Sequence, residues 1–167
     1  MEDILEEFKL SPKVIEVLNN KTLLRDFLLK GKAPQEILCF SDMTMAKFYR
    51  SALSLFDAKQ HSEAQNAFLF LISLNIYNYD YWLGYGMSTQ LCGDFESAID
   101  AYEMAAMLEI ESPVPYFYLA KCLFAIHDRE SAVQALEMAI EYATDKDEYN
   151  ELKLQATSAL ELLLKDK

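Results

Sequence analysis

Large apolar and small residues recur along the middle of the chain with a period of 34. Ala64, Ala98 and Ala132 stand 34 apart, and four residues beyond each lies a large apolar side chain: Phe68, Tyr102 or Leu136. Leu71, Ala105 and Ala139 follow those alanines by seven, Phe48, Trp82 and Tyr116 precede them by sixteen, and Ala52, Gly86 and Ala120 are again small. Spacings of three, four and seven put such positions on one helix face. An aromatic followed four residues later by a small residue on a first helix, and the reverse order on a second, let the two pack closely as an antiparallel hairpin. The pattern therefore predicts three hairpins, 45–78, 79–112 and 113–146, each a helix A followed by a helix B. A lone hairpin cannot bury its apolar face, whereas stacked hairpins share a continuous core and coil into a superhelix with a concave side.

Punctuation agrees with this division. Gly93-Asp94 and His127-Asp128 separate helices A and B in the second and third blocks, Lys59-Gln60-His61 does so less sharply in the first, and Pro113 and Pro115 open the third, where a first helical turn tolerates proline. Ahead of the repeats, within residues 1–44, Ser11-Pro12 and Gly31 bound an expected helix over 12–30. Its apolar residues, Val14, Ile15, Val17, Leu18, Leu23, Leu24, Phe27, Leu28 and Leu29, fill more than one stripe, so it needs two partners, the back of the first repeat or a second copy of the chain. After the repeats, within 147–167, a last helix over 147–165 carrying Leu152, Leu160, Leu163 and Leu164 is expected to cap the exposed end. The expected fold is all-α: an α-solenoid of three 34-residue helix-turn-helix repeats between an N-terminal helix and a C-terminal capping helix.

Composition narrows the function. Four Gly and four Pro among 167 residues favour long helices over strand-and-turn folds. The opening MEDILEEF is acidic and does not read as a secretory signal, and the longest apolar run, Ala67 to Leu74 with one serine, is far short of the roughly 20 residues that span a bilayer. No membrane insertion is expected. Cys39, Cys92 and Cys122 are odd in number and lack a Cys-x-x-Cys pair, which suits a reducing compartment and buried free thiols. A net charge of −12, with 5 basic against 13 acidic residues over 45–144, makes nucleic acid a poor partner and fits a solvated outer surface.

The residues of catalysis are sparse. The two histidines, His61 and His127, fall in the turns between helices A and B, where a solvated role is expected. No His-Glu-x-x-His, phosphate-binding glycine loop or nucleophile elbow occurs, and Asp94, Glu96, Asp100 and Glu103 have the spacing of the wet side of a helix. The chain reads as a binding protein that is not an enzyme and holds no cofactor or metal. Stacked hairpins line their concave side with the fifth, ninth and twelfth positions of helix A. These are Tyr49, Leu53 and Phe56, then Leu83, Met87 and Gln90, then Phe117, Lys121 and Phe124. Seven of the nine are apolar or aromatic, more than a solvent-facing surface requires. Either an apolar guest or the chain's own first 40 residues would cover them. Covering roughly 400 Å² with an extended peptide gives on the order of 10 kcal/mol before association costs, and Met87 adds adaptability.

The 34-residue period and its small and large positions resemble the tetratricopeptide pattern, although Ile76, Ile110 and Thr144 replace its usual thirty-second-position proline. The carboxylate clamp by which some such domains hold chaperone C-termini is excluded, because Tyr49, Leu53, Gly84, Val114 and Tyr118 stand where cations and amides would be needed. Within that class the stretches FYRSALSLFDAKQHSEA (48–64), WLGYGMSTQLCGDFESAI (82–99) and IESPVPYFYLAKCL (110–123) are similar to the translocator (class II) chaperones of bacterial type III secretion. The resemblance covers roughly 40–165, while residues 1–38 match poorly. It implies a chaperone of the bacterial cytosol that holds an extended segment of a hydrophobic, membrane-inserting translocator in its concave groove, soluble and unassociated before export, and that dimerises through its N-terminal segment. The groove residues it implies are Tyr49, Leu53, Phe56, Leu83, Met87, Phe117 and Phe124. The alternative is a tetratricopeptide scaffold of another pathway that joins soluble proteins through its acidic outer surface.

Overall fold

The computed structural model describes residues 12–165, apart from the side chain of Leu28. Ser11, the expected first cap, and the opening MEDILEEF lie outside the described residues. Helices α1 (Pro12–Asn19), α2 (Lys21–Leu29) and α3 (Pro34–Ile37) precede three hairpins. The hairpins are α4 (Asp42–Asp57) with α5 (His61–Leu74), α6 (Tyr79–Leu91) with α7 (Phe95–Leu108), and α8 (Pro113–Ala125) with α9 (Arg129–Ala143). A 3-10 turn at Asp147–Tyr149 leads into α10 (Asn150–Lys165). The described chain is all-α, as the repeat predicts.

From α4 onward each long helix packs on the next in sequence, and the first helices of successive hairpins also touch one another: α4 on α6, α6 on α8, α8 on α10. That places the A helices side by side along one surface of the solenoid. The repeated positions form its core. Ala52, Ala64, Phe68, Leu71, Ala98, Tyr102, Ala105, Ala120, Ala132, Leu136 and Ala139 are all nearly inaccessible to solvent. Of the first-helix aromatics Tyr116 is buried with them, whereas two sit further out: Phe48 meets the edges of Phe40 and Phe70, and Trp82 donates its indole N–H to the Ile76 carbonyl at 2.7 Å.

Every turn between paired helices is built alike. Lys59, Gly93 and His127, one period apart, have φ of 61°, 85° and 65°. The residue after each reverses onto the helix: Gln60 to Leu55 O at 3.0 Å, Asp94 to Thr89 O at 3.2 Å and Asp128 to Leu123 O at 2.9 Å. These are left-handed C-terminal caps, in which glycine is the unstrained choice. The following helices are N-capped by Asp94 and Asp128, whose carboxylates accept from Ser97 and Ser131 N–H, each at 3.1 Å. Without the usual proline, the turns between repeats are held by side chains. The Trp82 bond to Ile76 secures the first, and a Tyr79 to Ser112 hydroxyl contact at 2.9 Å and Lys146 donating to Glu111 O at 2.8 Å secure the second.

Four expectations change. The helix expected over 12–30 is two helices, because Asn20 ends the first and its side chain accepts from Leu23 N–H at 3.1 Å to start the second. α1 packs on α2, α2 on α3, and α3 on α5. Val14 and Val17 are thereby buried, and Ile15, Leu18 and Leu29 remain exposed. Helix α4 begins three residues ahead of the repeat frame, since Ser41 caps it by accepting from Thr44 N–H at 3.1 Å. Only Cys122 of the three thiols is buried; Cys39 and Cys92 are exposed because they occupy helix-end positions. His61 is not a solvated turn residue either: it opens α5, its ring lies 5.5 Å from that of Phe56, and its Nδ1 is buried without a hydrogen-bond partner.

Candidate functional site

The inner surface is assembled from α4, α6, α8 and α10. At its first-repeat end Tyr49 is half-buried, its ring 6.2 Å from Phe68 and 5.7 Å from Tyr81. Burial pushes the Tyr49 hydroxyl pKa up, with Asp80 and Tyr81 adding to it, so the group stays a neutral hydrogen-bonding hydroxyl. One turn on, Leu53 is exposed and Phe56 half-buried. In the second repeat Leu83 and Met87 are half-buried against the core beneath α8. Gln90 is committed inward, its Oε1 accepting from the Tyr102 hydroxyl at 2.7 Å.

The third repeat departs from a uniform lining. Phe117 is only 6% exposed and belongs to the floor rather than the wall, whereas Phe124 is 55% exposed. The Lys121 ammonium lies 4.1 Å from the centroid of Phe117 and 5.0 Å from that of Tyr118. Both rings offer it a cation-π contact, and burial pushes its pKa down. Beside them a cavity of about 520 Å³ opens between α8 and α10, floored by Phe117 and Leu136 and closed on the far side by Ala159, Leu162 and Leu163. Cys122, on the other face of α8, is fully buried and its thiol is pushed up to about 11, which keeps it protonated and unreactive.

The contribution of α10 to this surface is absent from the repeat frame but has a sequence signal. Leu152 and Ala156 repeat the spacing of Tyr116 and Ala120 after 36 residues instead of 34. Ala156 is fully buried and Leu152 packs against the same core. The capping helix is thus a displaced helix A, its two extra residues taken up by Asp145 at φ 64° and the 3-10 turn. Its last turn is tied to α9 by Arg129, which donates to the Leu163 carbonyl. Asp94, Glu96, Asp100 and Glu103 are exposed, and among the described residues no group of three His, Cys, Asp or Glu is placed to hold a metal ion. Among the described residues no helix is long and apolar enough to cross a membrane.

Stacked hairpins with an apolar inner surface define a tetratricopeptide-type solenoid. No family model matches the chain, but individual proteins do. Low calcium response locus protein H of Yersinia pestis is 28% identical over 140 residues, covering 84% of this chain and 83% of the relative. A chain in a type III secretion complex from Aeromonas hydrophila superposes with a TM-score of 0.83 at 29% identity, covering 87% of this chain and 97% of that one. The Yersinia enterocolitica translocator chaperone SycD, in an alternative dimer, is 30% identical with a TM-score of 0.73 over 76% of this chain and 97% of its own. SycD has also been solved with a peptide of the translocator YopD, at 29% identity and a TM-score of 0.73 over 76% of this chain and 98% of its own. The chain belongs to the family of type III secretion translocator chaperones, of which SycD is one.

Proposed function

We propose that this protein binds an extended apolar segment of a hydrophobic translocator subunit along its inner surface and keeps that subunit soluble in the bacterial cytosol before export. The observation that carries the reading is the run of accessible apolar side chains from Leu53 and Phe56 through Leu83 and Met87 to Phe124, on a chain of net charge −12 that has no need of an oily surface for solubility. SycD bound to a YopD peptide supports it. The contacting residues are Tyr49, Leu53, Phe56, Leu83, Met87 and Phe124, with Phe117 beneath them. Homodimerisation through α1 and α2 is part of the same reading, and the exposed Ile15, Leu18 and Leu29 supply its apolar surface. The test is co-purification with the translocator encoded beside its gene. Tyr49→Ala with Phe56→Ala, and separately Leu53→Asp at an exposed position, each with wild-type melting as the check on folding, are expected to abolish retention. Unchanged retention with both would overturn the groove.

The row Asp94, Glu96, Asp100 and Glu103 on the outer surface favours a second reading, an adaptor that docks soluble partners by charge. Partner binding that collapses between low and ~0.5 M salt would support it, because exposed ion pairs are screened and apolar burial is not.

A further inference from the structure

We propose that the cavity between α8 and α10 is a separate anchor pocket that takes a large apolar side chain of the client together with a carboxylate next to it in sequence, the carboxylate being held by Lys121. This rests on the reading of the inner surface as a client groove and adds what one end of it selects. At about 520 Å³ the cavity falls in the range of ligand pockets, roughly 300 to 1,000 Å³. Its walls are apolar, and Phe124 and Leu162, 55% and 66% exposed, stand uncovered at its mouth. Two polar side chains reach it. Gln155 is engaged, its amide donating to Glu151 at 3.2 Å. Lys121 pairs with no carboxylate among the described residues, and the faces of Phe117 and Tyr118 fix its ammonium at the cavity edge.

The charge pattern says what kind of guest fits. Lys121 is the one charged residue among the nine inner positions of the three A helices, in a repeat region carrying 13 acidic and 5 basic residues. A cation resting on two rings, with no carboxylate partner among the described residues, gains most from a guest that brings a carboxylate and an apolar group together. A guest with a cation at that place would meet repulsion from the Lys121 ammonium. The pocket therefore discriminates among client segments that the uncharged first-repeat end accepts alike.

The test uses the full chain and two probes of nearly equal shape, 4-phenylbutyrate and 4-phenylbutanamide, titrated while leucine-methyl and lysine NMR signals are followed. The acid is expected to shift Leu162, Leu163 and Lys121 and to bind about 10-fold or more tighter than the amide, the range of one charge-assisted hydrogen bond. Lys121→Met should bring the acid down to the amide's affinity and leave the amide unchanged, with wild-type melting as the check on folding. Equal affinity of the two probes, or shifts confined to residues away from α8 and α10, would overturn the pocket. For the client, Lys121→Glu should weaken the translocator complex about 5-fold or more while Leu53→Asp leaves probe binding intact; an unaltered complex would overturn the pocket's role in client choice. Probe selectivity in a protein that retains no translocator would instead refute the chaperone reading and leave the pocket standing. Self-association lost in Lys121→Glu would assign the pocket to a second copy of the chain and overturn the proposal.

Discussion

The second and third repeats are built to the same pattern, yet their A helices meet their neighbours in opposite ways. Helix α6 carries glycine at two contact points. The Phe68 ring of α5 fills the space a side chain on Gly84 would need, and Tyr102 of α7 comes within 2.8 Å of where a Cβ on Gly86 would lie. Both rings are almost wholly buried, and the Tyr102 hydroxyl is closed off by Gln90. Helix α8 has Ala120 and Lys121 where α6 has Gly86 and Met87, and it faces α10 across a cavity. Where a ring meets a glycine, shape is over-determined and a guest has no room. Where a displaced capping helix meets alanine and lysine, the groove keeps a hole.

The most damaging change at the closed junction is removal of one of its rings. Tyr102→Ala should cost about 3–5 kcal/mol, the range for deleting a buried aromatic, read as a fall in the urea midpoint with the slope unchanged. Leu162→Ala at the open junction should cost under about 1 kcal/mol because its side chain is largely solvated. A similar loss at both would refute the contrast. Adding atoms sharpens it further. Gly84→Ala improves helix propensity by roughly 1 kcal/mol but forces a methyl into the Phe68 ring, and overpacking of 1–3 kcal/mol should outweigh the gain. Ala159→Leu adds three carbons at the cavity edge and should be neutral or stabilising by up to about 1 kcal/mol. The same substitution should displace both phenylbutyl probes, so calorimetry and melting together report whether the hole is real.

The closed part was legible in sequence because size is repeated there: alanine, large apolar, small, at a fixed period, each position buried once the hairpins stack. The open part was hidden for the same reason. The period breaks by two residues before α10, so Ala159, Leu162 and Leu163 were assigned to a cap and not to the inner surface, although the Leu152 and Ala156 pair carried the signal. Phe117 was read as groove wall because its register matches Tyr49 and Leu83, but the rings and ammonium around it cover it. Gly84 was weighed only as a missing clamp residue, and its close approach to Phe68 escaped notice since it has no glycine one period away. The break at Asn20, the cap at Ser41 and the exposed thiols at Cys39 and Cys92 depend on single local bonds or helix ends, which a search for long-range repetition does not weigh.

The smallest expected effect asks which contact leaves the third repeat open. His127 closes the α8–α9 hairpin at φ 65°, where Gly93 closes the second at 85°. A non-glycine residue there carries strain of order 1 kcal/mol, and replacing it by glycine loosens the unfolded chain by roughly 0.4–1 kcal/mol. His127→Gly should therefore stabilise by no more than a few tenths of a kcal/mol, while Gly93→Ala destabilises by about 1 kcal/mol. If the cavity arises from α8 meeting α10, relief at His127 should leave the affinity for 4-phenylbutyrate unchanged, since that hairpin is already closed by Asp128 and Leu123. A change in probe affinity with His127→Gly would mean instead that hairpin strain tilts α8 away from α10, and the contrast between the two repeats would then originate in their turns.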